Sequence, residues 1–192
     1  AYLLTVLSGF IFEFLFLKAK GKAHQAFDGS GIVTCLLLVM SMPPIAPWWL
    51  YIVGAFAAII IAKQLYGGLG LNAFNPAMAA WVFLILSFPI YMNAFTQVDA
   101  ALSLKESLGL FFNYSRESFD VISQATPLDG YKTALTQGIH YAPVTAAELT
   151  WGNSPSAVGE GSVIALLLGG LYLLYKKVIT WHFPVAFLSG IT

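Results

Sequence analysis

The residues best suited to carry chemistry lie between Asp120 and Gly130, in the run Asp-Val-Ile-Ser-Gln-Ala-Thr-Pro-Leu-Asp-Gly. It sets a carboxylate (Asp120), a serine (Ser123) and a threonine (Thr126) backed by Pro127 inside an otherwise oily chain. A threonine nucleophile needs an activating base beside it. None adjoins Thr126, no histidine stands in the ten residues before it, and no glycine loop offers oxyanion donors. Thr126 therefore makes a poor catalytic nucleophile and a better acceptor, a hydroxyl that another protein modifies.

The elements that must position this run are set by composition. Of the 192 residues 58% are hydrophobic and 9% charged, against roughly a quarter charged in soluble domains. The chain reads as an all-α polytopic membrane protein, a transmembrane helix bundle with one long exterior loop. Net charge is zero, which argues against a nucleic-acid partner, because binding a phosphate backbone needs a basic surface. Cys35 is alone and the three histidines are scattered, so neither a disulfide framework nor a metal site is expected within the chain. Cys35 reads as a small buried hydrophobe, with one ligand of a cluster shared between subunits as the other reading.

A bilayer takes about 20 apolar residues per helix. Five runs qualify or nearly do: Tyr2–Leu17, Gly31–Met42, Trp48–Leu65, Pro76–Met92 and Val158–Tyr175. A last run begins at Trp181 and stops at Thr192. The second is short and is expected to be tilted, re-entrant or continued by an irregular turn. Lys18, Lys20, Lys22, Lys63, Lys176 and Lys177 all fall at ends that alternate onto one side, which the positive-inside rule makes cytoplasmic. Trp48 and Trp49 then sit at the opposite interface. The layout is residues 1–92 as four spans with a glycine-rich turn at 66–76, residues 93–157 outside, and residues 158–192 as the fifth span and the start of a sixth. No signal peptide is evident, and neither end reads as natural. Within the exterior segment, Ala100–Phe112 has helical apolar spacing suited to a surface helix, and Asp129–Leu135 reads as a short helix capped by Asp129.

The second informative stretch runs from Lys63 to Met78. Gly67, Gly68 and Gly70 permit a tight irregular turn, and Asn75-Pro76 is a helix start with Asn as cap and Pro first. Such a start offers amide donors and partial positive charge to a flavin ring, an ion or a quinone headgroup. The competing reading is a packing turn. Charges inside spans are costly and point to function. Glu13 reads as an ion or proton site, as a polar contact to another subunit, or as a residue near a span end that reaches water. Lys63 is expected to extend to the cytoplasmic surface.

These stretches, with Met42–Trp49, Ser87-Phe88-Pro89, Ile122–Asp129 and Trp181-His182-Phe183-Pro184, resemble the D subunits of the Rnf (Rsx) ion-translocating electron transport complexes. More distantly they resemble the B subunits of sodium-translocating NADH:quinone oxidoreductases. The Asp-x-x-Ser-x-Ala-Thr run is similar to the sequence at which a flavin transferase joins FMN to threonine. The resemblance implies an electron-relay subunit in the cell inner membrane, with FMN esterified through its phosphate to Thr126 on the extracytoplasmic face. Asp120 and Ser123 would present the site to the transferase, and Pro127 would hold the turn. It further implies a longer protein whose second half repeats the first in inverted orientation. Partners would be the other subunits, especially the G-type flavoprotein subunit, and coupling would be to ferredoxin and NAD chemistry and to ion movement. A second, non-covalent flavin in the span bundle is implied by analogy with the B-type subunits, with Asn75 as its candidate contact. The alternative, from the helix start after the glycine turn, is a channel or transporter without a redox role.

Overall fold

The first element, α1, is a single 18-residue helix, Tyr2–Ala19. It ends where Lys18, Lys20 and Gly21 take over, Gly21 with a positive φ of 71°. A one-and-a-half-turn 3-10 helix (Ala23–Phe27) leads to Gly29, whose left-handed φ of 78° turns the chain into α2 (Ser30–Met40). A proline-rich turn leads from there to α3 (Trp48–Phe56), and the same rod continues as a π-helix over Ala57–Gln64. The next helix, α4 (Pro76–Ser87), stops at Phe88 because Pro89 disfavours helical backbone in the residue before it. The short α5 (Pro89–Met92) restarts on that proline. The computed structural model describes residues 1–44, 46–93, 95–96, 104–112, 123–124, 127–138, 145–152 and 156–190.

These elements pack as a helix cluster. α1 lies against α2, α3 and the π-helix, while α4 covers the π-helix, α2 and α3. Leu38, Val39 and Met42 of the second helix and its end meet Leu50, Tyr51, Ala58, Ala80 and Leu84 in one core. Two polar bonds fix that core at one end: Tyr51 Oη donates to the Pro43 carbonyl at 2.9 Å, and Trp81 Nε1 to the Ser41 carbonyl at 3.0 Å. Trp49 stands edge-on to Phe88 and Tyr91 at the same end. Cys35 is fully buried against Gly9 and Ile59, the place of a small apolar residue.

Past α5 the described elements are short. Strand β1 (Phe95–Thr96) pairs antiparallel with β2 (Ser123–Gln124), Thr96 opposite Ser123. Helices α6 (Leu104–Phe112), α7 (Pro127–Gln137), α8 (Ala146–Trp151), α9 (Val163–Tyr175) and α10 (His182–Ser189) follow. Phe111 of α6 packs on Tyr51, ring centroids 5.9 Å apart, so this expected surface helix is also tied to the core. Among the described residues, one helix (Tyr2–Ala19) is long and apolar enough to cross a membrane, and the other apolar helices have 10–17 residues.

Three expected boundaries change. The second run is helical only over Ser30–Met40, eleven residues. The helix of the fifth apolar run, α9, begins at Val163 rather than Val158, because the preceding segment is held on the end of α2: Gly159 N–H donates to the Met40 carbonyl at 2.8 Å and Val158 N–H to the Met42 carbonyl at 3.3 Å. The short helix expected over Asp129–Leu135 spans Pro127–Gln137, starting two residues earlier on a proline suited to the first helical position, so Asp129 stands within it rather than at the cap position.

Candidate functional site

Two places in the fold gather polar groups. The first is built by α1, α2 and the π-helix around Glu13. Its Oε1 accepts from Lys63 Nζ at 2.6 Å and from Gln64 Nε2 at 2.7 Å. Lys63 Nζ also donates to Ser30 Oγ at 2.6 Å, and Ser30 Oγ donates in turn to Asp28 Oδ1. Glu13 and Lys63 are each only 2% exposed.

Local structure explains how neighbouring residues reach one carboxylate. In an α-helix, successive side chains point about 100° apart. The wider turn of the π-helix narrows that divergence, so Lys63 and Gln64 both face α1. Single π-type turns are frequent at functional sites. On the other side Gly31 supplies space, since a methyl group there would overlap Glu13 Oε2. Among the described residues Oε1 accepts both hydrogen bonds and Oε2 accepts none.

A cavity of about 730 Å³ opens beside this cluster, lined by Glu13, Asp28, Lys63 and Gln64, with Lys20 and Lys22 at its rim. Burial opposes the charge on Asp28. The hydroxyl and amide of Ser30, with Lys63 beyond them, outweigh that burial and hold the carboxyl below its ordinary value. One expectation fails here: Lys63 does not extend to the surface. Of the three readings of Glu13, that of a water-exposed residue near a span end is not met, since Glu13 and Lys63 are both buried and each supplies the charge that makes the other's burial tolerable. The sequence signal was present as two opposite charges inside apolar runs. Their separation by fifty positions hid that they form one site.

The second place is the helix start at Asn75. Its Oδ1 accepts from the amides of Ala77 (3.0 Å) and Met78 (3.4 Å), as a cap should. That leaves Nδ2 without an acceptor among the described residues. Asn72 Nδ2 is engaged by the Phe74 carbonyl at 2.7 Å. Around the cap Leu69, Leu71 and Phe74 are strongly exposed. Asn75→Ala should lose about 1 kcal/mol of stability, while Asn75→Asp should keep most of it. Thermal midpoints of the two variants check this, and equal midpoints would show that the cap is not used.

Of the residues expected to form a flavin attachment site, Asp120 and Thr126 lie outside the described residues. Ser123 is placed by its backbone in β2, against Thr96. The ladder brings the start of the Ser-Gln-Ala-Thr run to the α5 end of the bundle. The Glu13 cluster lies at the opposite end of the helices, with the close of α1 and the π-helix.

A profile described as the NQR2, RnfD, RnfE family matches residues 1–192. The chain is 44% identical over 190 residues to the D subunit of an ion-translocating oxidoreductase complex from Alcanivorax borkumensis, covering 97% of this chain and 55% of that protein. It is 42% identical to the protein of the same name from Sodalis glossinidius, with 92% and 54% covered. For that of Aliivibrio salmonicida the identity is 38%, with 98% and 58% covered. The chain thus spans somewhat more than half the length of these curated relatives.

Proposed function

The chain belongs to the NQR2, RnfD, RnfE family, and from that premise we propose that it is part of a membrane subunit of an ion-translocating oxidoreductase complex, relaying electrons through FMN esterified to Thr126. The observation that carries this reading is the family match along the whole chain, joined to the Ser123-Gln124-Ala125-Thr126 run. The relatives named above are D subunits of such complexes by name, so other subunits of a like complex are the partners, among them a G-type flavoprotein subunit. A flavin transferase is the maturation partner.

In this reading the protein sits in the inner membrane and crosses it five times within residues 1–192, as one half of an inverted repeat. Residues 1–92 hold four spans, residues 93–157 lie on the extracytoplasmic face, and residues 158–192 hold the fifth span and the start of another. The arrangement of helix ends supports the alternation. Trp49, Phe88, Tyr91 and the segment after Ala157 meet at one end, while Lys20, Lys22 and Lys63 share the cavity at the other. The exposed faces suit lipid or partner helices: α9 buries none of its residues, and Leu3, Leu7, Ile11 and Leu15 of α1 are all exposed.

Bound FMN would supply the electron-transfer chemistry itself. The chain's part at Thr126 is to offer a hydroxyl for the phosphoester, with Asp120 and Ser123 presenting it. A second, non-covalent flavin belongs to this reading by analogy, with Asn75 as its candidate contact, whose Nδ2 has no acceptor among the described residues. Thr126→Ala should abolish covalent flavin and leave membrane insertion unchanged. Intact-mass analysis of the wild type should find an FMN-sized increment on the peptide containing Thr126. An unmodified peptide from cells with an active transferase would leave the resemblance as one of fold only.

A further inference from the structure

The Glu13 cluster holds two carboxylates and one ammonium. Within the hydrogen-bonded cluster Glu13 and Asp28 face the single ammonium of Lys63, and the same cavity is also lined by Lys20, Lys22 and His24. Lys63 stands between the two acids, directly bonded to Glu13 and joined to Asp28 through the Ser30 hydroxyl. Glu13 is buried while Asp28 is exposed on the cavity wall. A small rotation of the lysine's flexible four-carbon stem would transfer its charge from the first to the second without carrying an unpaired ammonium through an apolar region. Glu13 Oε2 is packed towards Gly31 and accepts no hydrogen bond among the described residues, so the exchange takes place at Oε1, where Lys63 sits.

We propose that Lys63 is a tethered counter-cation, held on Glu13 at rest and drawn onto Asp28 and Ser30 when a small monovalent cation enters from the cavity and takes its place. The inference rests on the reading of this chain as part of an ion-translocating complex, and it assigns to Lys63 the role of competitor that sets how tightly a cation is held. Lys63 is a positioning residue in this scheme. No covalent bond forms or breaks, and the exchange conserves charge at Glu13. Lys20 and Lys22 at the rim are exposed, where solvent and salt screen them. Gln64 keeps its hydrogen bond to Oε1 in both states and so holds the carboxylate in place.

A competing brace, in which the ion pair only fixes α1 to the π-helix, makes the opposite forecast for removal of Lys63. The test uses the full-length protein in detergent, with thermal unfolding measured against sodium chloride, and choline chloride at equal ionic strength and fixed pH as the control. A cation that binds only the folded state raises the midpoint with its concentration. For Lys63→Met, sodium should restore much of the lost stability, with half-saturation at least about tenfold below the wild type, the factor that 1.4 kcal/mol of removed competition produces. Asp28→Asn, which weakens the lysine's alternative seat, should shift wild-type sodium protection to higher concentration. That variant carries the test should Lys63→Met fail to fold. The double variant Glu13→Gln with Lys63→Met should show no difference between sodium and choline.

A Lys63→Met protein equally unstable in both salts, or an Asp28→Asn protein indistinguishable from the wild type, would overturn the proposal. Failure of the wider reading is separately visible as absence of ion flux in liposomes carrying the wild-type complex, with the sodium effect on unfolding intact.

Discussion

Replacing Lys63 by methionine should lower stability by about 3–5 kcal/mol in sodium-free buffer, the usual cost of removing one partner of a buried ion pair. Both charged groups are 2% exposed and their atoms are 2.6 Å apart. The loss is mostly the price of the carboxylate left behind, because Gln64 gives Glu13 a hydrogen bond but no charge. A chain that changes both residues, Glu13→Gln with Lys63→Met, should recover most of the loss, since uncharged replacements of a buried pair are often neutral. The two single variants and the double form a cycle in which the coupling should exceed about 2 kcal/mol, beyond the few tenths seen for independent sites. Unfolding midpoints of the three proteins in detergent decide the matter. Single variants within about 0.5 kcal/mol of wild type, the ordinary range of surface substitutions, would mean that the pair is hydrated.

The second large effect is a reversal of sign at Gly31. Alanine in place of glycine in a helix normally stabilises by about 1 kcal/mol. At Gly31 the new methyl would overlap Glu13 Oε2 and lie 2.9 Å from its Cδ. The carboxylate has little freedom to yield, being held by Lys63 and Gln64. Gly31→Ala should therefore destabilise by about 1–3 kcal/mol, the range for overpacked sites. Once Glu13 is alanine the same change should be neutral or stabilising. Gly169 in α9, with nothing within 4 Å of its would-be Cβ, gives the comparison: Gly169→Ala should follow the ordinary rule. Equal effects of Gly31→Ala with and without Glu13 would refute the packing argument.

What the sequence determined by itself was whatever local chemistry decides. Asn75-Pro76 starts α4 as the residue types require, because the cap bonds reach only two and three positions ahead. Pro89 breaks the fourth apolar run at Phe88 because proline acts on its immediate neighbour. The low charge content and the motifs at Lys63–Met78 and Ile122–Asp129 are likewise properties of the chain read in one dimension, and they led to the family that the match along residues 1–192 establishes.

Tertiary structure alone decided where the charges go. Whether Lys63 turns outward or inward depends on which face the third helix shows to the first, and that depends on a π-helical stretch over Ala57–Gln64 that residue propensities do not announce. Glu13 and Lys63 each looked costly in an apolar run, and the cost is met only because packing brings them together from fifty positions apart. Gly31 looked like the first residue of a span, and its role appears only when Glu13 fills the space in front of it. The start of α9 moved for the same kind of reason, since Val158 and Gly159 give their amides to the end of α2 and the residue after it before any helix begins. Local rules fix only those helix ends that a cap or a proline decides, as at Asn75 and Phe88. Pairing of buried charges is a long-range balance between desolvation and attraction, and only the assembled fold sets both distances and burial.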